Sequence, residues 1–182
     1  MQNRVIPTEV EVLGQSIMAM IGGMEILKTR ALKILADNGI PQLEPQGWYP
    51  MRNALTAIRS IEEKIGPVTM RAVGRKIPEH SKFPPDIRTL EDALRSLDKA
   101  YQMNHRKQQG GNIGGYHFEA AAEGRGGRMV CDNPYPCNFD HGIIEALCER
   151  FRPKDAMWVR VEHGPQGCRH KGSGDCTYLI SW

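Results

Sequence analysis

The residues best suited to chemistry are five cysteines, Cys131, Cys137, Cys148, Cys168 and Cys176, all in the C-terminal third of the chain. Cys137 follows the rigid turn Asn133-Pro134-Tyr135-Pro136 and opens a predicted helix, where the helix dipole and free backbone N–H groups favour a thiolate. Cys168 and Cys176 flank the polar, glycine-rich stretch Arg169–Asp175, a loop able to bring its two ends onto one metal ion. Three thiolates with a nitrogen or a carboxylate make a closed tetrahedral zinc site. Glu162 and His163, at the end of the penultimate predicted strand, are the available fourth donors. The spacing contains no CxxC, so buried thiols without a metal are the competing reading. Cys148, one helical turn after Ile144 and beside Leu147, reads as core, and Cys131, alternating with Met129 on a strand, reads as core or pocket lining. A nucleophilic cysteine would need a histidine partner, and His141, one turn beyond Cys137, is the candidate that sequence offers.

These residues need elements to position them. Thr8 and Glu11 form a capping box after Pro7, and Asn38-Gly39 supplies a stop, which predicts a helix over 9–38. Leu13, Ile17, Met20, Met24, Leu27, Ala31 and Ile34 along it are spaced 4-3-4-3-4-3, a heptad seam suited to pairing with a second copy, the alternative being a long core helix lying across its own domain. Gly22-Gly23 interrupts it at a cost of about 2 kcal/mol of helix propensity. Residues 1–40 are therefore expected to form a long dimerising helix, and 41–182 a domain of their own. Helices follow from Tyr49-Pro50-Met51 to Ile65, where Gly66-Pro67 breaks the pattern, over Val68–Lys76, and from Thr89-Leu90-Glu91-Asp92 to about His105. A polar loop, Lys107–Gly115, precedes two strands, Tyr116–Glu123 and Arg128–Asn133, joined by Gly124-Arg125-Gly126-Gly127. A helix from Asn138 to Phe151 and strands Met157–Glu162 and Thr177–Trp182 complete an α+β layout, a helical N-terminal layer on a mainly antiparallel sheet.

Pro136-Cys137-Asn138-Phe139-Asp140-His141-Gly142, continuing to Phe151, resembles the helix-opening cysteine segment of the 4-vinyl reductase domain. Val159-Arg160-Val161-Glu162 and Cys168…Gly172…Cys176-Thr177-Tyr178 resemble the end of that domain, and Gly47-Trp48-Tyr49-Pro50 its opening. The resemblance implies the ligand-binding fold shared by phenol-responsive activators, a bacteriochlorophyll-synthesis protein and trafficking-complex subunits. It also implies that Cys137, Cys168 and Cys176 hold a structural zinc beside a pocket for a hydrophobic or aromatic ligand. The family's glutamate lies three residues before the second cysteine. Pro165 holds that place here, so Glu162 or His163 would complete the set. Tyr116, His117, Phe118, Trp48 and Cys131 are the expected pocket residues, with His117 able to donate to a phenolic oxygen or to ligate a haem iron.

Composition narrows the function. Lys and Arg number 24 against 21 Asp and Glu, and a net charge of +3 is too small to predict direct nucleic-acid binding. No stretch approaches the roughly 18 apolar residues of a membrane span. The opening residues lack an apolar leader, so a cytoplasmic protein with reduced thiols is expected. Gly110–Gly115 leads into a strand, the wrong context for a phosphate loop, and no catalytic constellation emerges. The expectation is a dimeric sensory domain, not an enzyme, with a haem- or tetrapyrrole-binding protein as the alternative.

Overall fold

Val10 and Val12 are completely buried and alternate with half-exposed neighbours. In the computed structural model of the protein that alternation makes a strand, β1 (Glu11–Leu13), and not the first turns of a helix. The structure describes residues 6–24, 27–81, 83–107, 112–122 and 125–182. β1 pairs antiparallel with β2 (Trp48–Pro50) and β3 (His105–Arg106). Glu11, read as half of a capping box, instead receives Arg106 Nε at 2.6 Å and Lys107 Nζ at 2.9 Å across this sheet.

The predicted rod over 9–38 is thus replaced by β1 and two short helices, α1 (Gly14–Gly22) and α2 (Lys28–Asp37). α1 ends at Gly22-Gly23, where helix propensity is lowest. α2 stops at Asn38, before Gly39 in the left-handed region (φ 83°). Ile17, Met20, Met24, Ala31 and Ile34 of the supposed dimer seam are buried in the chain's own core. From Ile6 to Ile40, the buried apolar residues among those described join one core with the rest of the chain.

α3 (Met51–His80) bends where the sequence predicts a break: Gly66 has φ 78°, ψ 167°, and Pro67 follows. α4 (Leu90–Met103) opens on a reciprocal capping box, with Asp92 N donating to Thr89 Oγ1 and Thr89 N to Asp92 Oδ2. The main sheet is antiparallel throughout, in the order β4 (Tyr116–Ala120), β5 (Gly126–Cys131), β7 (Cys176–Ser181), β6 (Arg160–His163). The helix α5 (Cys137–Arg150) is buried over most of its length. The architecture is the expected α+β arrangement. Residues 108–111 of the polar loop predicted over 107–115 lie outside the described residues.

α5 and α3 cross at two glycines, and this crossing sets where Cys137 stands. A Cβ on Gly142 would fall on the Arg71 carbonyl oxygen, and one on Gly74 on the Phe139 carbonyl oxygen. Arg71 and Arg75 then grip Glu145 and Glu149 of α5. We predict that Gly142→Ala forces the helices apart and destabilises the fold by about 1–3 kcal/mol, read as a lower urea midpoint. An unchanged midpoint would show that the crossing has slack.

Candidate metal centre

Three elements converge at one corner of the main sheet. α5 presents Cys137 from its first residue, β6 ends on His163, and the loop before β7 carries Cys168 with Cys176 at the strand's start. The chain makes this meeting locally. Pro136 enters α5 in extended conformation, β6 pairs His163 opposite Tyr178 on β7, and a single 3-10 turn at Arg169–Lys171 folds the loop back. Cys168 O accepts the N–H groups of Lys171 at 2.8 Å and Ser173 at 3.1 Å, and Gly172 at φ 94° permits the reversal.

The ligand atoms of Cys137, His163, Cys168 and Cys176 all lie within 4.8 Å of one another. The sulfur of Cys168 is 3.8 Å from that of Cys137 and 4.0 Å from that of Cys176. A tetrahedron with Zn–S bonds of about 2.3 Å has edges of about 3.8 Å, so the sulfurs already stand at ligating separation. His163 completes the donor set. Its Nδ1 faces Gly164 O at 2.9 Å and so donates, which leaves the lone pair on Nε2. That Nε2 is buried and is the orphan among described polar side-chain atoms. A histidine whose second nitrogen is held by a carbonyl is the arrangement metal ligands show. Tyr178 sets its edge against the His163 ring at 5.2 Å between centroids and donates its hydroxyl to Cys137 O at 2.5 Å. Glu162 stays outside: it is exposed and pairs with Arg160 at 2.7 Å. β6 alternates its side chains, so Glu162 and His163 face opposite ways, and only one can reach the cysteines.

The charge state of the thiols follows from their neighbours. The Cys137 hydrogen bond holds the Cys176 thiol well below its usual value, with Arg169 adding its side-chain and backbone N–H groups and its charge. Cys137 moves the other way, because it shares that hydrogen bond, is buried, and faces the charge on Cys176. Cys131 and Cys148 stand apart. Both are buried, and burial pushes their thiols up, Cys148 to about 12. They are packing residues. His141 is half-buried with Nε2 at 3.3 Å from Val161 O, and does not pair with Cys137.

The five residues read as a ligand pocket do not share one. Tyr116 and Phe118 lie on the buried face of β4 and Cys131 opposite Tyr116 on β5. His117 points out from the other face and bonds Asp132 Oδ1 at 3.0 Å. Trp48 belongs to the small sheet, under the Arg106 guanidinium at 4.4 Å. Sequence reasoning missed what fills the interior instead. Asp140 is fully buried and accepts from Tyr116 Oη at 2.6 Å, Asn133 Nδ2 at 3.2 Å and Arg169. An acidic residue in the first turn of a mostly apolar helix, with an arginine in a distant loop, was the available signal.

No family model matches the chain, and no curated protein does. Solved structures do resemble it. A mutant T. tengcongensis H-NOX matches with a TM-score of 0.62 at 16% identity, covering 92% of this chain and 94% of that one. An oxygen-binding H-NOX domain related to soluble guanylate cyclases, in its oxygen complex, matches with a TM-score of 0.61 at 16% identity, covering 92% of each chain. An H-NOX protein from S. oneidensis, in its Fe(II)NO state, matches with a TM-score of 0.59 at 9% identity over 90% of this chain and 97% of that one. The fold is therefore that of H-NOX domains, and the resemblance to the 4-vinyl reductase domain is overturned as a family assignment. Its motifs are the segments around the three cysteines and the short Gly47-Trp48-Tyr49-Pro50 in the small sheet, whereas the fold comparison spans nearly all of the molecule.

One histidine outside the corner is deeply buried. His105 directs Nδ1 at Tyr101 O (2.7 Å) and Nε2 at Tyr135 Oη (3.0 Å), among the rings of Tyr101 and Tyr135. Burial lowers its pKa to about 4. The unfolded chain takes up a proton on this residue near pH 6.5, which the folded chain refuses until about pH 4. Stability should therefore fall by about 3 kcal/mol as pH drops through that window. His105→Gln should flatten the pH dependence of the urea midpoint there; an unchanged slope would place the titration elsewhere.

Proposed function

We propose that this chain is a ligand-binding domain of sensory type on the H-NOX fold, held at one corner by a structural zinc ion on Cys137, His163, Cys168 and Cys176. One observation carries the metal reading: three sulfurs at ligating separation together with the buried, partnerless Nε2 of His163. A purely apolar environment would waste that nitrogen, since a buried polar atom without a partner costs about 1–3 kcal/mol. The donor set is soft and closed, which selects zinc over magnesium or calcium. When bound, zinc supplies a cross-link between α5, β6 and the loop before β7. Four protein ligands leave no open position for water, so the role is structural.

Likeness of fold favours a second reading, haem as the sensed-ligand carrier, because the similar structures are H-NOX domains with oxygen or nitric oxide bound. His105 has the tautomer of an axial ligand, Nδ1 donating and Nε2 holding a lone pair. As packed, the residues do not fit a porphyrin. Tyr135 occupies that lone pair, and Tyr101 and Tyr135, which flank the His105 ring, pack in turn on each other, on Tyr116 and on Phe139 with ring centroids 5.6–6.1 Å apart. No role for haem follows from this arrangement.

Metal analysis of the purified protein should find one zinc per chain. Readding zinc to stripped protein at about a thousandfold over its Kd should stabilise it by about 4 kcal/mol, an increment that Cys168→Ser should largely lose. Metal-replete, fully stable Cys168→Ser would sink the site. Haem titration should give no saturable Soret band; a sharp 1:1 band abolished by His105→Gln would establish the second reading instead.

A further inference from the structure

We propose that Arg169 is the positioning residue of the metal centre, fixing the Cys176 sulfur through two N–H donors and tying the centre's charge to Asp140 in the interior. The inference rests on the zinc reading. Arg169 is a cation with only 13% of its side chain exposed, and nearly every donor is spent. Its backbone N lies 3.3 Å and its Nε 3.4 Å from Cys176 Sγ. One terminal nitrogen donates to the carbonyl oxygen of Asn133 and, at 2.9 Å, to its side-chain oxygen. The other donates to Asp140. Arg169 also follows Cys168 directly, so the neighbour of one ligand holds a second ligand in place.

Charge explains why a guanidinium stands there. Zinc with three thiolates and a neutral imidazole carries a net charge of −1, and the buried Asp140 carboxylate adds another. Arg169 is hydrogen-bonded to both. Zinc-bound thiolates keep lone pairs that protons compete for, and N–H donors on the sulfur stabilise the bound, deprotonated form. Lysine would bring the charge but not the planar fork that reaches Cys176, Asn133 and Asp140 at once. The geometry therefore makes Arg169 specific at this position by shape as well as by charge.

The test uses full-length protein loaded with zinc or, for spectroscopy, with cobalt(II). Arg169→Gln alone leaves Asp140 buried without its cation, so the double variant Arg169→Gln/Asp140→Asn removes both charges together, and Arg169→Lys keeps the charge. Chelator competition should show zinc bound about 10–100-fold more weakly in the double variant and in Arg169→Lys. Arg160→Gln, on the exposed face of β6, should match wild type. Loss of the Nε–H donor, with the backbone N–H kept, raises the sulfur lone pairs, so the sulfur-to-cobalt charge-transfer band should move to longer wavelength in both Arg169 variants, a shift that mere loosening of the fold would not give. Zinc affinity within twofold of wild type with an unmoved band overturns the proposal. Full recovery of affinity and band position by lysine overturns it too, leaving charge alone as the cause. A wild-type protein that holds no zinc or cobalt overturns the metal reading itself, and the positioning role with it.

Discussion

A carboxylate with no exposed surface is the constraint on which this arrangement turns. α5 carries Asp140 into the interior, where an unmatched charge would cost several kcal/mol. Tyr116 and Asn133 satisfy part of it, but charge needs charge, and Arg169 provides it from a loop 29 residues away in sequence. The guanidinium cannot give up its proton in a protein, so the pair is ionic even though burial pushes the Asp140 carboxyl upward. Meeting that requirement draws the Arg169 loop down onto the start of α5. The same movement sets Cys168 beside Cys137 and Cys176.

Two further devices keep the corner in register. The glycine crossing of α3 and α5 fixes the height of α5 against the helical layer, with Arg71 and Arg75 clamped onto Glu145. On the other side, β6 and β7 pair so that His163 meets Tyr178, whose hydroxyl returns to the Cys137 carbonyl. The four candidate ligands thus come from a helix end, a strand end and a loop, each anchored by contacts independent of a metal. That is the condition for a closed site with little reorganisation on binding. The interior beneath is dense with tyrosine rings and hydrogen bonds. Within an otherwise apolar core, the fold here encloses a hydrogen-bonded group of His105, Asn133 and Asp140 with its tyrosine partners.

Much of the corner was legible in the sequence, and the reasons are local. Pro136-Cys137 opening a helix, Gly66-Pro67 breaking one and the Thr89–Asp92 box starting another are signals carried by adjacent residues, and the structure places those boundaries within a few positions of the reading. The choice between Glu162 and His163 was not legible, because it depends on the phase of β6 against β7. The N-terminus misled for a related reason. A 4-3 spacing of apolar residues from Leu13 to Ile34 looks the same whether the seam meets a second copy or a kinked pair of helices folds it onto α3. Val10 and Val12 read equally as helix or strand until β2 and β3 arrive from residues 48 and 105. Asp140 and Arg169 remained unseen because the acidic residue on an apolar helix is a local signal, but its partner lies 29 residues away and only the fold brings the two together.

X-ray absorption at the zinc edge of the purified, reduced protein reads the proposed donor set itself. Three sulfurs at about 2.3 Å and one imidazole nitrogen at about 2.0–2.1 Å are expected around the metal. A shell dominated by oxygen, or one from which the imidazole scattering is missing, would contradict that donor set.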